Sequence, residues 1–103
     1  MNNNFKNYPK TVLQAVDRLI AEISLQEKTK IANMKENELT ELHFSLGIYI
    51  RDEFKLWEEN DELLKDCCSL SREEKLHVDS ASFLIIKEFW KRLQTIKVLR
   101  IVR

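Results

Sequence analysis

The sequence predicts an all-α fold, a single small domain of four to five helices arranged as a bundle or an orthogonal array. The chain of 103 residues has one Gly and one Pro, whereas average usage would give roughly seven and five. This scarcity argues against β-sandwiches and barrels, whose many turns need both residues, and against glycine-rich phosphate loops. Apolar residues at helical spacing and repeated helix-capping patterns support the same class.

Two helices are expected in the first third of the chain. Thr11 and the Gln three residues later resemble a capping box, in which each side chain binds a free backbone amide, and they open a helix over about 12–24. Ser24 and Glu27 repeat the pattern and open a shorter helix over about 25–33. The apolar side chains that this second helix is expected to bury are Leu25, Ile31 and Met34.

A third helix is expected from Glu36 to about Phe54. Its main apolar stripe consists of Leu39, Leu42, Leu46 and Ile50. Phe44 and Ile48 lie on another side of the same helix. Because apolar residues on two sides are typical of a helix with neighbours on two faces, this helix is predicted to be the central one.

The second half of the chain predicts one short and one long helix. Asn60 or Asp61 caps a helix over about 61–68, and Ser71 with Glu74 is a third capping pattern that opens one turn at most. The last long helix begins after the segment from His77 to Ser80. Its expected buried stripe is Ala81, Leu84, Ile85, Phe89, Leu93 and Ile96, with Ile86 and Trp90 beside it.

Domain boundaries follow from the ends of these patterns. Residues 1–8 are rich in Asn and are expected to form a disordered arm. Residues 9–97 form one helical domain, and residues 98–103 are a tail that extends the last helix, packs as a strap or frays. The strap could also join two copies in a homodimer.

Charge and cysteine content restrict the class of protein. The formal net charge is zero, with 17 basic and 17 acidic residues, so no overall attraction to nucleic acid or anionic lipid is expected. Residues 52–66 carry seven acids against two lysines. Adjacent Cys67 and Cys68 are the chain's two cysteines and are poorly placed to pair. Without a signal peptide or a membrane-spanning run, the expectation is a cytoplasmic protein.

The densest polar set in an apolar segment consists of His43, Gly47 and Arg51. Their spacing of four residues places them along one helix face. Gly47 is the single glycine, at a helical position where it costs about 1 kcal/mol relative to Ala. We expect close approach of another backbone or a ring such as Trp57 or Trp90, and the alternative is a recess for a ligand between His43 and Arg51.

These residues fit a structural role better than a catalytic one. His43 is expected to be half-buried with a hydrogen-bond partner, since no nucleophile is in evidence for it to activate. Arg51 is expected to pair with an acid, and Asp52, Asp61 and Asp79 are the candidates. The histidines and cysteines fit no zinc spacing, and no cofactor is predicted. Trp57, in an acidic connection, is either a lid on the core or an interface anchor.

The chain resembles a family of small bacterial domains of unknown function over about residues 8–93. The most specific stretch is Leu42-His43-Phe44-Ser45-Leu46-Gly47-Ile48-Tyr49-Ile50-Arg51. Further stretches are Tyr8 to Thr11, Ala15 to Leu19, Phe54, Leu56-Trp57, Asn60, Glu62 to Leu64, Cys67, His77, Asp79 to Ser82, Ile85-Ile86 and Trp90. Family members tend to have Ser or Thr at Lys35, and Pro and Asp at Val78 and Ser80. The resemblance implies an all-helical fold and one structural unit for His43, Gly47, Arg51, Trp57 and Asn60.

Three functions remain as hypotheses. The leading one is a small, non-catalytic, immunity-like or accessory module that binds another protein or a second copy of itself. The alternative is a small-molecule or enzymatic pocket built from His43, Arg51, Asn60 and His77, with Asp79 beside it. A weaker alternative is nucleic-acid binding by the basic last helix, through Lys87, Lys91, Arg92, Lys97, Arg100 and Arg103.

Overall fold

The computed structural model describes residues 7–57 and 59–102, with side chains described as far as Ile96. Within these ranges the chain forms helices and their connections, with no strand, which confirms the all-α class. This part holds six helices rather than the predicted four to five. They are α1 (Val12–Glu22), α2 (Leu25–Ala32), a 3-10 helix (Glu36–Leu42), α3 (Leu46–Glu53), α4 (Asp61–Ser71) and α5 (Val78–Val102). Residues 1–6 of the predicted arm lie outside the described ranges.

The last helix, α5, is the centre of the fold and contacts α1, α2, the 3-10 helix, α3 and α4. Adjacent Ile85 and Ile86 are both fully buried, so α5 is covered on more than one side. The prediction that the third helix is central is therefore wrong. The buried apolar core is Val12, Ala15, Val16, Leu19, Ile31, Leu39, Leu46, Ile50, Phe54, Leu56, Leu63, Cys67, Ala81, Ile85, Ile86, Phe89 and Leu93.

Residues 36–54 form two helices where one was predicted. The 3-10 helix ends at Leu42, a turn follows, and Ser45 has a non-helical backbone (φ −125°, ψ −82°) before α3 begins. The break changes the direction of the faces on either side of it, so Phe44 and Ile48 are exposed instead of forming a second buried stripe. In the turn between the two helices, the His43 carbonyl accepts a hydrogen bond from the Arg51 side chain.

The first two helices begin where their caps predict. The Thr11 hydroxyl accepts from the Gln14 amide at 3.1 Å, and the Ser24 hydroxyl accepts from the Glu27 amide at 3.2 Å. The Gln14 side chain accepts from the Lys10 amide and not from Thr11, so the first capping box is half correct. Leu25, predicted to be buried, is 66% exposed because the short α2 buries only the side of Ile31.

Helix α4 runs three residues beyond the predicted end at residue 68. Ser71 is its last residue, and its hydroxyl donates to the Cys68 carbonyl at 3.1 Å, so the predicted capping pattern of Ser71 with Glu74 does not form. Arg72 then takes a left-handed backbone (φ 62°), with the Glu73 amide bonded to the Cys68 carbonyl at 3.0 Å. Glycine is usual at such helix ends, since a β-carbon costs about 1–2 kcal/mol in this conformation.

None of the helices in the described ranges is both long and apolar enough to cross a bilayer.

Candidate functional site

Arg51, on α3, is the buried centre of a group of residues that also includes half-buried His43 and the partly exposed Asp79. Its side chain is 5% exposed. Nη1 donates to the Ser82 hydroxyl at 2.9 Å, Nη2 donates to the His43 carbonyl at 3.4 Å, and Nε lies 3.6 Å from Asp79 Oδ1. Of the three candidate acids, Asp79 is therefore the partner. We call His43, Gly47, Arg51, Asp79 and Ser82 the polar cluster.

Gly47 provides the space that the Arg51 guanidinium occupies. A β-carbon added to Gly47 would lie 3.0 Å from Arg51 Nη1, closer than such contacts normally allow. The nearest neighbour is therefore a side chain of the same helix and not the Trp57 or Trp90 ring, and the backbone carbonyl of Leu42, in the 3-10 helix, follows at 3.5 Å. Trp90 lies elsewhere, with Nε1 donating to the Met34 carbonyl at 2.9 Å. The Arg51 side chain occupies the space that the alternative interpretation of Gly47 assigned to a ligand.

Asp79 also lies near both histidines. Its Oδ2 is 3.8 Å from His43 Nε2 and 3.8 Å from His77 Nδ1. His77 Nδ1 accepts a hydrogen bond from the Asp79 backbone amide at 3.0 Å. A ring nitrogen that accepts carries no proton, so this nitrogen caps the start of α5 and does not donate to the Asp79 carboxylate. His43 is half-buried, as expected, but its distance of 3.8 Å from Asp79 is too long for the hydrogen bond predicted with a partner.

Two donors of Arg51 bind acceptors of the protein itself. The described residues include no group of three or more His, Cys, Asp or Glu side chains that could hold a metal ion. The buried donors of Arg51 face the protein's own acceptors. Arg51 Nε is the exception among the buried side-chain polar atoms described, since it makes no hydrogen bond although Asp79 lies nearby. Arg51 and Asp79 thus form an ion pair between α3 and α5 that is buried on the side of the arginine.

Trp57 lies over the Arg51 guanidinium at the protein surface. Its ring centre is 5.8 Å from Arg51 Cζ, so it covers one side of the guanidinium in a cation–π contact. Its Nε1 donates to Asp52 Oδ1 at 3.0 Å. Even so, the residue is 55% exposed. The Trp57 ring therefore contacts Arg51 and Asp52 while much of its surface is open to solvent.

Asn60 makes its contacts away from the polar cluster. Its Nδ2 donates to the Pro9 and Phe54 carbonyls, both at 2.8 Å, and its Oδ1 accepts from the Leu63 amide at 3.2 Å. The residue is 5% exposed. These bonds confirm Asn60 as the cap of α4 and tie that helix to the end of α3 and to the chain before α1.

Sequence reasoning missed two features of this region. Ser82 is fully buried, and its hydroxyl donates to the Asp79 carbonyl at 2.9 Å while it accepts from Arg51. The sequence signal for its burial is the helical spacing that places Ser82 on the same stripe of α5 as Ile85 and Phe89. The other feature is the exposure of Phe44, which depends on the turn before α3 and leaves no local mark in the sequence.

Burial raises the pKa of a core thiol and of a partly buried tyrosine. The pKa of the Cys67 thiol rises from 9.0 to about 12, because of burial and then the nearby charge of Asp66. The pKa of Tyr49 rises from 10.0 to about 12, because of burial and a hydrogen bond to Glu22. Its hydroxyl donates to Glu22 Oε1 at 2.7 Å. Cys67 and half-buried Cys68 are both free, and a raised thiol pKa argues against a reactive Cys67.

These shifts predict that the protein loses stability in alkali. A raised pKa means that the folded state holds its proton more tightly, so this stabilisation is present below the unfolded pKa values of 9.0 and 10.0 and is lost as the pH rises towards 12. Urea unfolding measured from pH 8 to pH 11 should show a falling free energy of unfolding. The Cys67→Ala variant should show a shallower fall, and an equal slope would contradict the role assigned to the thiol.

The fold and the polar cluster define a small all-helical domain with a buried arginine whose two Nη groups donate to acceptors of the protein itself. The chain belongs to the family described as a domain of unknown function, DUF6794, whose model matches residues 8–93. This range is the one over which the sequence resembled an uncharacterised domain family. Searches of curated proteins and of solved structures found no significant match.

Proposed function

We propose that this protein is a non-catalytic interaction module that binds another protein or a second copy of itself. The observation that carries the proposal is the exposure of three large apolar side chains around α3. Phe44 is 80% exposed, Trp57 is 55% exposed and Ile48 is 43% exposed. Exposed apolar patches that contain aromatic residues are typical of protein interfaces. We call these three residues the aromatic patch.

The members of the aromatic patch follow one another in the chain around α3. Phe44 lies in the turn before α3, Ile48 lies in the first turn of the helix, and Asp52, one helical turn after Ile48, holds the Trp57 ring. Arg51 connects the two ends, since its guanidinium contacts both the Trp57 ring and the His43 carbonyl next to Phe44. This arrangement supports a single contact surface.

Contacts with neighbouring residues restrict the position of two of these side chains. The Phe44 ring packs edge-on against the His43 ring, with centres 4.8 Å apart and an angle of 84°. The Trp57 ring has its hydrogen bond to Asp52 and its contact with Arg51. Because restricted side chains lose little entropy on binding, they suit the role of interface anchors.

The alternative of a pocket at His43 and Arg51 has less support. The Arg51 side chain fills the space beside Gly47 and bonds internally. A groove of 520 Å³ lies elsewhere, between α1, α4 and α5, with Leu13 and Leu70 at its edge. Its other lining residues include neither His43 nor Arg51.

The nucleic-acid alternative is also less favoured, because basic residues of α5 are already paired. Lys87 lies 3.3 Å from Glu36, and Arg92 lies 2.9 Å from Asp17. Lys91 pairs with Glu88 at 3.3 Å. The side chains of Lys97, Arg100 and Arg103 lie outside the described residues.

Two free cysteines suit the reducing cytoplasm that we propose as the protein's location.

Phe44→Ala tests this function without disturbing the core. The change should weaken binding of the partner by about tenfold or more, because an aromatic anchor is lost. It should change the free energy of unfolding by less than about 0.5 kcal/mol, because the ring lies at the surface. The partner is isolated by affinity purification with the wild-type chain and then titrated as a pure protein, while sedimentation tests self-association.

Leu25→Ala is the matched control for Phe44→Ala. Leu25 is 66% exposed but lies on α2 and outside the aromatic patch. We expect this variant to bind the partner, or to self-associate, like the wild type. Equal binding by Phe44→Ala and the wild type would contradict the assignment of the surface.

A further inference from the structure

Beside Trp57 the surface has a hollow of 220 Å³ with a distinctive lining. Asp52, Lys55, Trp57 and Glu59 form it, so two carboxylates and one ammonium group surround an indole ring. This hollow continues the aromatic patch, because Asp52 is the residue that holds the Trp57 ring. A partner that covers the patch will also meet these charges.

The lining of the hollow favours a positive charge. A tryptophan ring attracts a cation at its face, and Trp57 already does so with Arg51 at 5.8 Å. Carboxylates form short, charge-assisted hydrogen bonds with guanidinium and ammonium groups. Asp52 and Glu59 outnumber Lys55 among the lining residues. The surrounding chain strengthens the bias, with seven acids and two lysines over residues 52–66.

On the basis of the proposed function, we infer that the partner presents a basic and apolar protein segment. Its apolar side chains contact Phe44 and Ile48, and an arginine or lysine enters the hollow beside Trp57. The same acidic surroundings repel phosphate groups, so an anionic lipid surface and a nucleic acid are poor partners for this surface. Charge complementarity thus favours a basic and apolar protein segment as the partner of the aromatic patch.

N-acetyl-arginine amide tests the hollow directly, with N-acetyl-citrulline amide as its neutral counterpart. The NMR signal of the Trp57 indole N–H reports binding, and the Trp90 indole is an internal control because its N–H is bonded to the Met34 carbonyl. We expect a saturable shift of the Trp57 signal with the arginine compound that is several-fold smaller with citrulline and decreases in high salt. Equal shifts with both compounds, or no shift with arginine, would overturn the inference.

The variant Asp52→Asn/Glu59→Gln removes the two charges from the hollow. The side-chain carbonyl of the asparagine introduced in place of Asp52 can still accept from the indole N–H, so the ring keeps its position. The variant Glu27→Gln/Glu73→Gln makes the same change in net charge with residues that do not line the hollow. We expect the first to reduce affinity for the arginine compound at least threefold and the second to leave it unchanged. Equal affinities in the two variants would count against the hollow.

The outcomes separate this inference from the proposed function. If the arginine compound does not bind while Phe44→Ala weakens partner binding as expected, the aromatic patch remains the interface and the inference of a basic partner is rejected. If the arginine compound binds as expected while Phe44→Ala retains the partner, the cation-binding hollow remains and the aromatic patch is rejected as the interface.

Discussion

Arg51→Ala should lower the free energy of unfolding by about 3 kcal/mol. The side chain is buried and fills the space beside Gly47. Its loss leaves a cavity, removes the hydrogen bonds to Ser82 and His43, and takes the cation away from Asp79. It also removes the support beneath the Trp57 ring. Urea denaturation followed by circular dichroism measures the effect.

Arg92→Ala is the matched control for Arg51→Ala. Arg92 pairs with Asp17 at 2.9 Å, but its side chain is 34% exposed. Ion pairs at the surface contribute about 0–1 kcal/mol, so we expect a much smaller loss of stability. Similar losses in the two variants would show that Arg51 is not the buried centre of the polar cluster.

Asn60→Ala should lower the free energy of unfolding by about 2–3 kcal/mol. The change removes three hydrogen bonds at a position that is 5% exposed. It leaves the buried Pro9 and Phe54 carbonyls without their donor and the Leu63 amide without its acceptor. Urea denaturation again provides the measurement.

Asn60→Asp separates the two roles of this side chain. Aspartate is as good a helix cap as asparagine and can still accept from Leu63. It has no amide to donate, and its carboxylate would face the Pro9 and Phe54 carbonyls. We therefore expect Asn60→Asp to be at least as unstable as Asn60→Ala. Wild-type stability in Asn60→Asp would show that capping is the main role.

Local patterns in the sequence predicted the helices whose ends depend on local bonds. The caps Thr11, Ser24 and Asn60 each bond an amide three residues later, which is a contact within one helical turn. The family resemblance also marked the stretch that contains His43, Gly47 and Arg51 before any geometry was known. These parts were predictable because neighbouring residues determine them.

The remaining features depend on contacts between distant residues. The pairing of Arg51 with Ser82 and Asp79 joins α3 to α5, and no periodicity within either helix indicates it. The break at Ser45 occurs inside a continuous helical pattern, and it exposes Phe44 and Ile48. For this reason the sequence pointed to the polar cluster as the candidate site, while the structure draws attention to the aromatic patch beside it.

A double-mutant cycle between Gly47 and Arg51 tests most directly whether the polar cluster is a scaffold and not a ligand recess. Gly47→Ala should destabilise the wild-type protein, because the new β-carbon would lie 3.0 Å from Arg51 Nη1, which Ser82 holds in place. In an Arg51→Ala background the same change should stabilise the protein by up to about 1 kcal/mol, which is the helix propensity of Ala over Gly. Equal stabilisation in both backgrounds would show that the space beside Gly47 is not needed by Arg51.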